Sequence, residues 1–166
     1  MTASGNEING DEDDGRFLSQ TLVGDGSITA RVNSIVLTNY AATAGVMIRP
    51  IKTSPTGNAE SRMVDVRIPR LGNLGMAWRA TDFTASSFAG GVSNAHPVYW
   101  LRLTRAGNVF TGYYSTDGAT WTQIDTPKTV VMPQSVRIGL WASARSTTAN
   151  TTAVFDNVTV TGTKGL

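Results

Sequence analysis

The chain of 166 residues has no cysteine. Disulfides, thiolate metal sites and a cysteine nucleophile are therefore excluded. Histidine occurs once, at His96, and glutamate only at Glu7, Glu12 and Glu60. A Ser-His-Asp triad would have to use His96, which precedes Pro97 in a loop-like setting, and the sequence holds no nucleophile elbow. Glycosidic hydrolysis needs two positioned carboxyl groups. No glutamate stands on a strand-like pattern beside a second acid, and Asp65 sits alone between Val64 and Val66. Charge is sparse, at 16% of residues with a net of +2, and the basic residues are mostly arginines scattered along the chain. The concentrated basic stripe of a nucleic-acid binder is missing, so no nucleic-acid partner is expected. No apolar run approaches the ~20 residues of a membrane span, so no membrane insertion is expected either. Residues 1–14 are polar and acidic and do not form a signal peptide. A leader is removed beforehand, or the protein reaches its place without one.

What is present is period-two alternation. Val64, Val66 and Ile68 alternate with Met63, Asp65 and Arg67. Tyr99, Leu101 and Leu103 alternate with Trp100, Arg102 and Thr104. Val136, Ile138 and Leu140 alternate with Arg137, Gly139 and Trp141. Each set predicts a strand with one face in a core. Turn signals divide the runs: Gly24-Asp25-Gly26, residues 54–58, Gly72-Asn73, Ala106-Gly107-Asn108 and Asp117-Gly118. Asp-Gly between alternating segments is a hairpin signal because the turn needs positive φ. These signals predict roughly ten to eleven strands. Residues 81–95 are small and polar and read as a surface loop. Without crossover helices or a domain boundary, the expected fold is one all-β domain over residues 1–166, an antiparallel two-sheet β-sandwich of jelly-roll type.

Specific blocks carry a family likeness. Tyr99-Trp100-Leu101-Arg102-Leu103-Thr104-Arg105 is followed by Gly107-Asn108-Val109-Phe110-Thr111-Gly112-Tyr113-Tyr114-Ser115-Thr116-Asp117-Gly118-Ala119-Thr120-Trp121. With Gly45-Val46-Met47-Ile48-Arg49, Val136-Arg137-Ile138-Gly139-Leu140 and Phe155-Asp156-Asn157-Val158, this resembles the concanavalin A-like lectin/glucanase β-sandwich modules of secreted bacterial multidomain proteins. Residues 5–26 lie on the family's opening segment, with its acidic positions at Glu7 and Asp13. The chain departs from the family pattern at Trp141, where a small residue is usual, at Asn9, where an aromatic is usual, and before Gly5, where a first strand is usual. The resemblance implies glycan binding or attachment at an extracellular surface. Glucanases of this fold align their acids along one strand as Glu-x-Asp-x-x-Glu, a pattern lacking here, so an enzyme is not expected.

Two sites follow as expectations. The acidic run Asn9-Gly10-Asp11-Glu12-Asp13-Asp14-Gly15 offers oxygen ligands around a glycine turn, which suits Ca²⁺. Sandwiches of this kind often tie their terminal strands with structural calcium, so the expected ligands are Asp11, Asp13 and Asp156. A solvated acidic terminus is the alternative. One sheet of such a sandwich is usually concave, and alternation turns Arg49, Asp65, Arg67 and Trp141 away from the core-facing residues. With Trp78, whose phase is open, these form an Arg/Asp/Trp surface suited to sugar rings and hydroxyls. The alternative is that Trp78 is core and that Arg49 and Arg67 pair with Asp65. In residues 115–121, Asp117 is expected to cap its own hairpin turn and Trp121 to pack over it.

The function expected first is a non-catalytic carbohydrate-binding or adhesion module with a glycan or polysaccharide partner. The second is a structural surface protein, such as a virion decoration or filament subunit, held by protein neighbours. The leaderless polar start at Met1 fits the second.

Overall fold

The computed structural model describes residues 1–5, 8–9, 12–36, 41–51 and 61–165, and only the backbone of residues 8, 9, 12 and 13. The turn signal in residues 54–58 lies outside them. Among the described residues thirteen strands run in order: β1 (Thr2–Gly5), β2 (Ile8–Asn9), β3 (Glu12–Asp13), β4 (Arg16–Val36), β5 (Thr43–Pro50), β6 (Met63–Pro69), β7 (Gly72–Arg79), β8 (Ser87–Ala95), β9 (Tyr99–Ala106), β10 (Val109–Ser115), β11 (Thr122–Thr129), β12 (Ser135–Ser143) and β13 (Ser146–Lys164). Every pairing between them is antiparallel. No helix among the described residues is long and apolar enough to cross a membrane.

The sandwich is organised by one long strand. The first part of β4 pairs with β12, from Arg16↔Ala142 to Val23↔Ser135. Its second part pairs with β9, from Gly26↔Arg105 to Val32↔Tyr99, and with β13 on its other side. The first sheet therefore runs β4-β12-β5-β6-β7-β8, and the second runs β11-β10-β9-β4-β13-β1. The segment Gly24-Asp25-Gly26, read from sequence as a turn between strands, is instead the corner where β4 passes from one sheet to the other. Gly24 sits at φ +74°, a conformation that glycine adopts without the Cβ penalty. Corners of this kind are how two packed sheets share a strand.

The alternating residues close the core. Val64, Val66, Ile68, Val136 and Ile138 of the first sheet meet Ile28, Ala30, Val32, Leu101, Leu103 and Phe110 of the second, all at 0% exposure. Burying each of the larger side chains contributes roughly 1.5–3 kcal/mol. Gly112 lets the sheets approach, since a Cβ there would stand 2.9 Å from Val66 and 3.0 Å from Met76. Arg105 clamps one end of the sandwich by donating to the carbonyls of Gly107, Pro133 and Gln134.

Residues 81–95 correct the sequence reading. Only the first part is a loop; Ser87–Ala95 forms β8, paired with β7 from Gly72↔Ala95 to Trp78↔Ser87. β8 is an edge strand, exposed along most of both faces, and its ladder is irregular around Leu74. Such a strand has no buried face to impose alternation, and small polar residues suit an edge.

Candidate functional site

The outer face of the first sheet gathers most of the residues expected at a ligand surface. The register sets Trp141 opposite Gly45, Met47 opposite Asp65, and Gly45 opposite Arg67, all pointing away from the core. β7 adds Ala77 and Arg79 to the same face through Asp65↔Ala77 and Met63↔Arg79. The phase of β7 is thereby settled, and it excludes Trp78. That indole pairs with Val64, packs against the core between the sheets, and has Lys128 Nζ 4.4 Å from its ring centroid.

The face is far more enclosed than an open concave surface. Met47, Met63, Ala77 and Trp141 form a second apolar cluster, with Phe17 packed beside it. Trp141 is fully buried and its indole N–H finds no acceptor among the described residues. Arg67 lies over Trp141, with Cζ 4.8 Å from the ring centroid, and grips Asp65 with two parallel hydrogen bonds, Nε to Oδ1 at 2.7 Å and a terminal amino group to Oδ2 at 2.5 Å. The Arg49 guanidinium donates twice to Ser61 Oγ. The loop after β7 helps close the face. Arg79 Nε donates to the Thr84 carbonyl, and Asp82 accepts from the Arg62 amide.

One opening remains. A cavity of about 380 Å³ lies over the Arg67 end of the face. Its polar groups come from Arg67, Thr43, Asn73, Ser86 and Arg145, and its apolar wall includes Phe88, which is 49% exposed. Arg145 is held at φ +53° in the chain's exit from β12, and its amide donates to Ser143 Oγ. The volume falls within the roughly 300–1,000 Å³ typical of small-molecule sites. Among the described residues no carboxylate lines the cavity; Asp65 is bonded to Arg67 and orients it. The cavity offers the edge of a fixed guanidinium, amide and hydroxyl groups and one aromatic ring, which together suit a polyhydroxylated ring with an apolar face.

Of the five residues expected at the ligand surface, the structure brings Arg67 to the cavity and puts Asp65 and Trp141 behind it. Arg49 lies elsewhere on the same face and Trp78 on the other side of the sheet. Asn73, Phe88 and Arg145 were missed. Phe88 belongs to the strand read as a loop, Asn73 to a turn signal, and Arg145 to a left-handed residue beyond β12. Only the turn signal at Gly72-Asn73 marked any of them in the sequence.

The calcium expectation rests mainly on side chains that are not among the described ones. The side chains of Asp11 and Asp13 lie outside them. Asp156 is engaged by Asn33 Nδ2, by Asn157 Nδ2 and by Arg31 at 3.7 Å, which hold its carboxyl below the ordinary value. It also stands ten positions along β13 from Ser146, which pairs with Gly5. At about 3.3 Å per residue that is on the order of 30 Å from Gly5, whereas Thr2, paired with Thr152, lies only four positions away. Among the described residues, no group of three or more His, Cys, Asp or Glu side chains could hold a metal ion.

The 115–121 hairpin behaves as expected at Asp117, whose Oδ1 accepts from the amides of Ala119 and Thr120 and from Ser115 Oγ, each at 2.8 Å. Trp100 lies against the turn at Gly118, and Trp121 carries the Arg102 guanidinium. His96 is exposed and outside any strand.

No protein-family model and no curated protein matches the sequence. Solved structures match in fold. A functionally unknown protein from Saccharomyces cerevisiae aligns at 20% identity over 92% of this chain and 77% of its own, with a TM-score of 0.67. The carbohydrate binding module CBM66 from Bacillus subtilis aligns at 17% identity over 92% of both chains, with a TM-score of 0.54. A xylan beta-1,4-xylosidase from Bacillus halodurans C-125 aligns at 10% identity over 82% of this chain and 27% of its own, with a TM-score of 0.57. At these identities the likeness is one of fold.

Proposed function

We propose that the chain is a non-catalytic glycan-binding domain displayed at an extracellular or particle surface, and that the cavity beside Arg67 seats one end of its ligand. The observation that carries this reading is the Asp65–Arg67–Trp141 stack. A guanidinium is fixed in one orientation by a carboxylate behind it and an indole beneath it, and it opens onto a cavity with hydroxyl, amide and aromatic partners. Pre-orientation of this kind reduces the ordering cost of binding. Arg67 supplies a fixed positive charge at the edge of the cavity, Asn73, Thr43 and Ser86 supply polar contacts, and Phe88 covers an apolar ring face. The lack of a lining carboxylate among the described residues supports binding without hydrolysis, because hydrolysis of a glycosidic bond uses two carboxyl groups across the sugar. The fold shared with a carbohydrate binding module over 92% of both chains supports the same reading.

A glycan array probed with the purified chain and with Asn73→Ala and Phe88→Ala tests this. The wild type is expected to retain a defined set of glycans, and both variants to lose them while melting within a few degrees of wild type. Equal retention by all three proteins would refute the assignment of the cavity.

A further inference from the structure

The outer face of the second sheet carries a separate constellation. Leu101 and Leu103 point into the core, so β9 turns Trp100, Arg102 and Thr104 outward. β4 sets Thr29 opposite Arg102 and Ser27 opposite Thr104, and β13 sets Thr159 opposite Thr29 and Thr161 opposite Ser27. Three neighbouring strands thus place a bed of hydroxyls beside two indoles. An open groove of about 610 Å³ runs over them, with Trp100 and Trp121 among its walls.

The groove is rigidly built. Trp100 lies so close to Gly118 that a Cβ there would come within 2.7 Å of its ring, and the Asp117 cap holds that turn in place. Arg102 is stacked on Trp121 with Cζ 3.7 Å from the ring centroid, and its Nε donates to Thr29 Oγ1 at 3.1 Å. Its two terminal amino groups have no acceptor among the described residues. Arg31, Arg62, Arg67 and Lys128 each have a carboxylate partner, whereas among the described residues no acidic one lines the groove around Arg102. A cation held in one orientation without an acid beside it is a site for an anionic group, and a guanidinium fork matches a planar carboxylate.

We infer that this groove binds a uronate-bearing oligosaccharide. The sugar carboxylate lies on the Arg102 fork, ring hydroxyls meet Thr29, Thr159 and Thr161, and the apolar ring edge packs on Trp100. This site shares no residue with the cavity beside Arg67, so the chain is a two-site binder, one site on each outer face.

Calorimetric titration of the full chain tests this with three probes: tetragalacturonate, a neutral galactose tetrasaccharide, and tetraglutamate as a non-sugar carboxylate. The wild type is expected to bind tetragalacturonate and neither of the others with comparable affinity. Arg102→Gln and Arg102→Lys are each expected to weaken that binding by about tenfold or more, since hydrogen bonds to charged groups contribute on this scale. Thr29→Val, which leaves the guanidinium intact but unanchored, is expected to weaken it less. Asn73→Ala is expected to leave it unchanged, which separates this site from the cavity. Absence of wild-type binding, unaltered binding in both Arg102 variants, or equal binding of the neutral sugar or the peptide would overturn the inference. Loss in Asn73→Ala with Arg102→Gln unaffected would move uronate binding to the cavity and overturn it as well.

Discussion

Replacing Trp141 by alanine removes the largest fully buried side chain of the molecule, from a cluster formed by Met47, Met63, Ala77 and Phe17. Truncating a buried tryptophan costs roughly 3–5 kcal/mol, made of lost transfer energy and the cavity left behind. For a domain of this size each kcal/mol lowers the melting temperature by about 2–4 °C, so the expected fall is roughly 6–20 °C. Phenylalanine at the same position separates two contributions. It loses part of the ring's packing, but it also removes an indole N–H buried without an acceptor, which costs about 1–3 kcal/mol to bury. Trp141→Phe is therefore expected within about 1–2 kcal/mol of wild type, well above the alanine variant. Urea denaturation followed by circular dichroism gives both values. Glycan binding is expected to follow the same order, because Arg67 rests on the indole and a phenyl ring still supports it. An alanine variant as stable as wild type but devoid of binding would show that Trp141 touches the ligand directly, and the account of the enclosed face would fail.

Gly139→Ala is expected to destabilise by about 1–3 kcal/mol, since a Cβ would stand 2.0 Å from the Leu18 carbonyl oxygen and 2.7 Å from Ser19 Cα in the neighbouring strand; chemical denaturation reads this. The Asp117 carboxyl is held well below the ordinary value of 3.8 by the Thr120 and Ala119 amides and by Ser115. Its stabilisation is therefore present above about pH 4 and lost as the pH falls through the lowered value, so Asp117→Asn is expected to melt below wild type at pH 6 and to approach it in strong acid. Phe88→Ala is expected to leave stability within about 0.5–1 kcal/mol of wild type, because the ring is 49% exposed on an edge strand, while weakening glycan binding; melting curves alongside array binding separate the two effects.

The fold was legible wherever one face of a strand is buried. Alternation at Val64, Val66 and Ile68, at Leu101 and Leu103, and at Val136 and Ile138 placed each strand and its inward side. It failed at β8, where both faces are largely solvated and nothing selects a period. It failed differently at Gly24-Asp25-Gly26, because the same glycines serve a hairpin turn and a strand corner, and only pairing partners on β12 and β9 distinguish them. The site was half legible. Alternation correctly set Asp65, Arg67 and Trp141 on one side of their strands, but outward-facing does not mean exposed. The loop after β7 folds back over that face through contacts of Arg79 with Thr84 and of Asp82 with Arg62. These are long-range in effect and leave no periodic trace. Trp78 could not be phased because Leu74, Gly75, Met76, Ala77 and Trp78 present non-polar residues at consecutive positions. The cluster of Trp100, Arg102 and Trp121 was visible residue by residue, yet its meaning depends on which indole covers the turn and which one the arginine.

The central claim is that a glycan end sits in the cavity beside Arg67. Its most direct measurement is a heteronuclear NMR titration of the isolated chain with the strongest array ligand, following the Arg67 Nε–H, the Asn73 side-chain amide and the Trp141 Nε1–H. The account predicts saturable shifts at all three with one dissociation constant, and no comparable shift at the Trp78 Nε1–H between the sheets. Shifts confined to residues away from this cavity, with Arg67 and Asn73 unmoved at saturation, would contradict it.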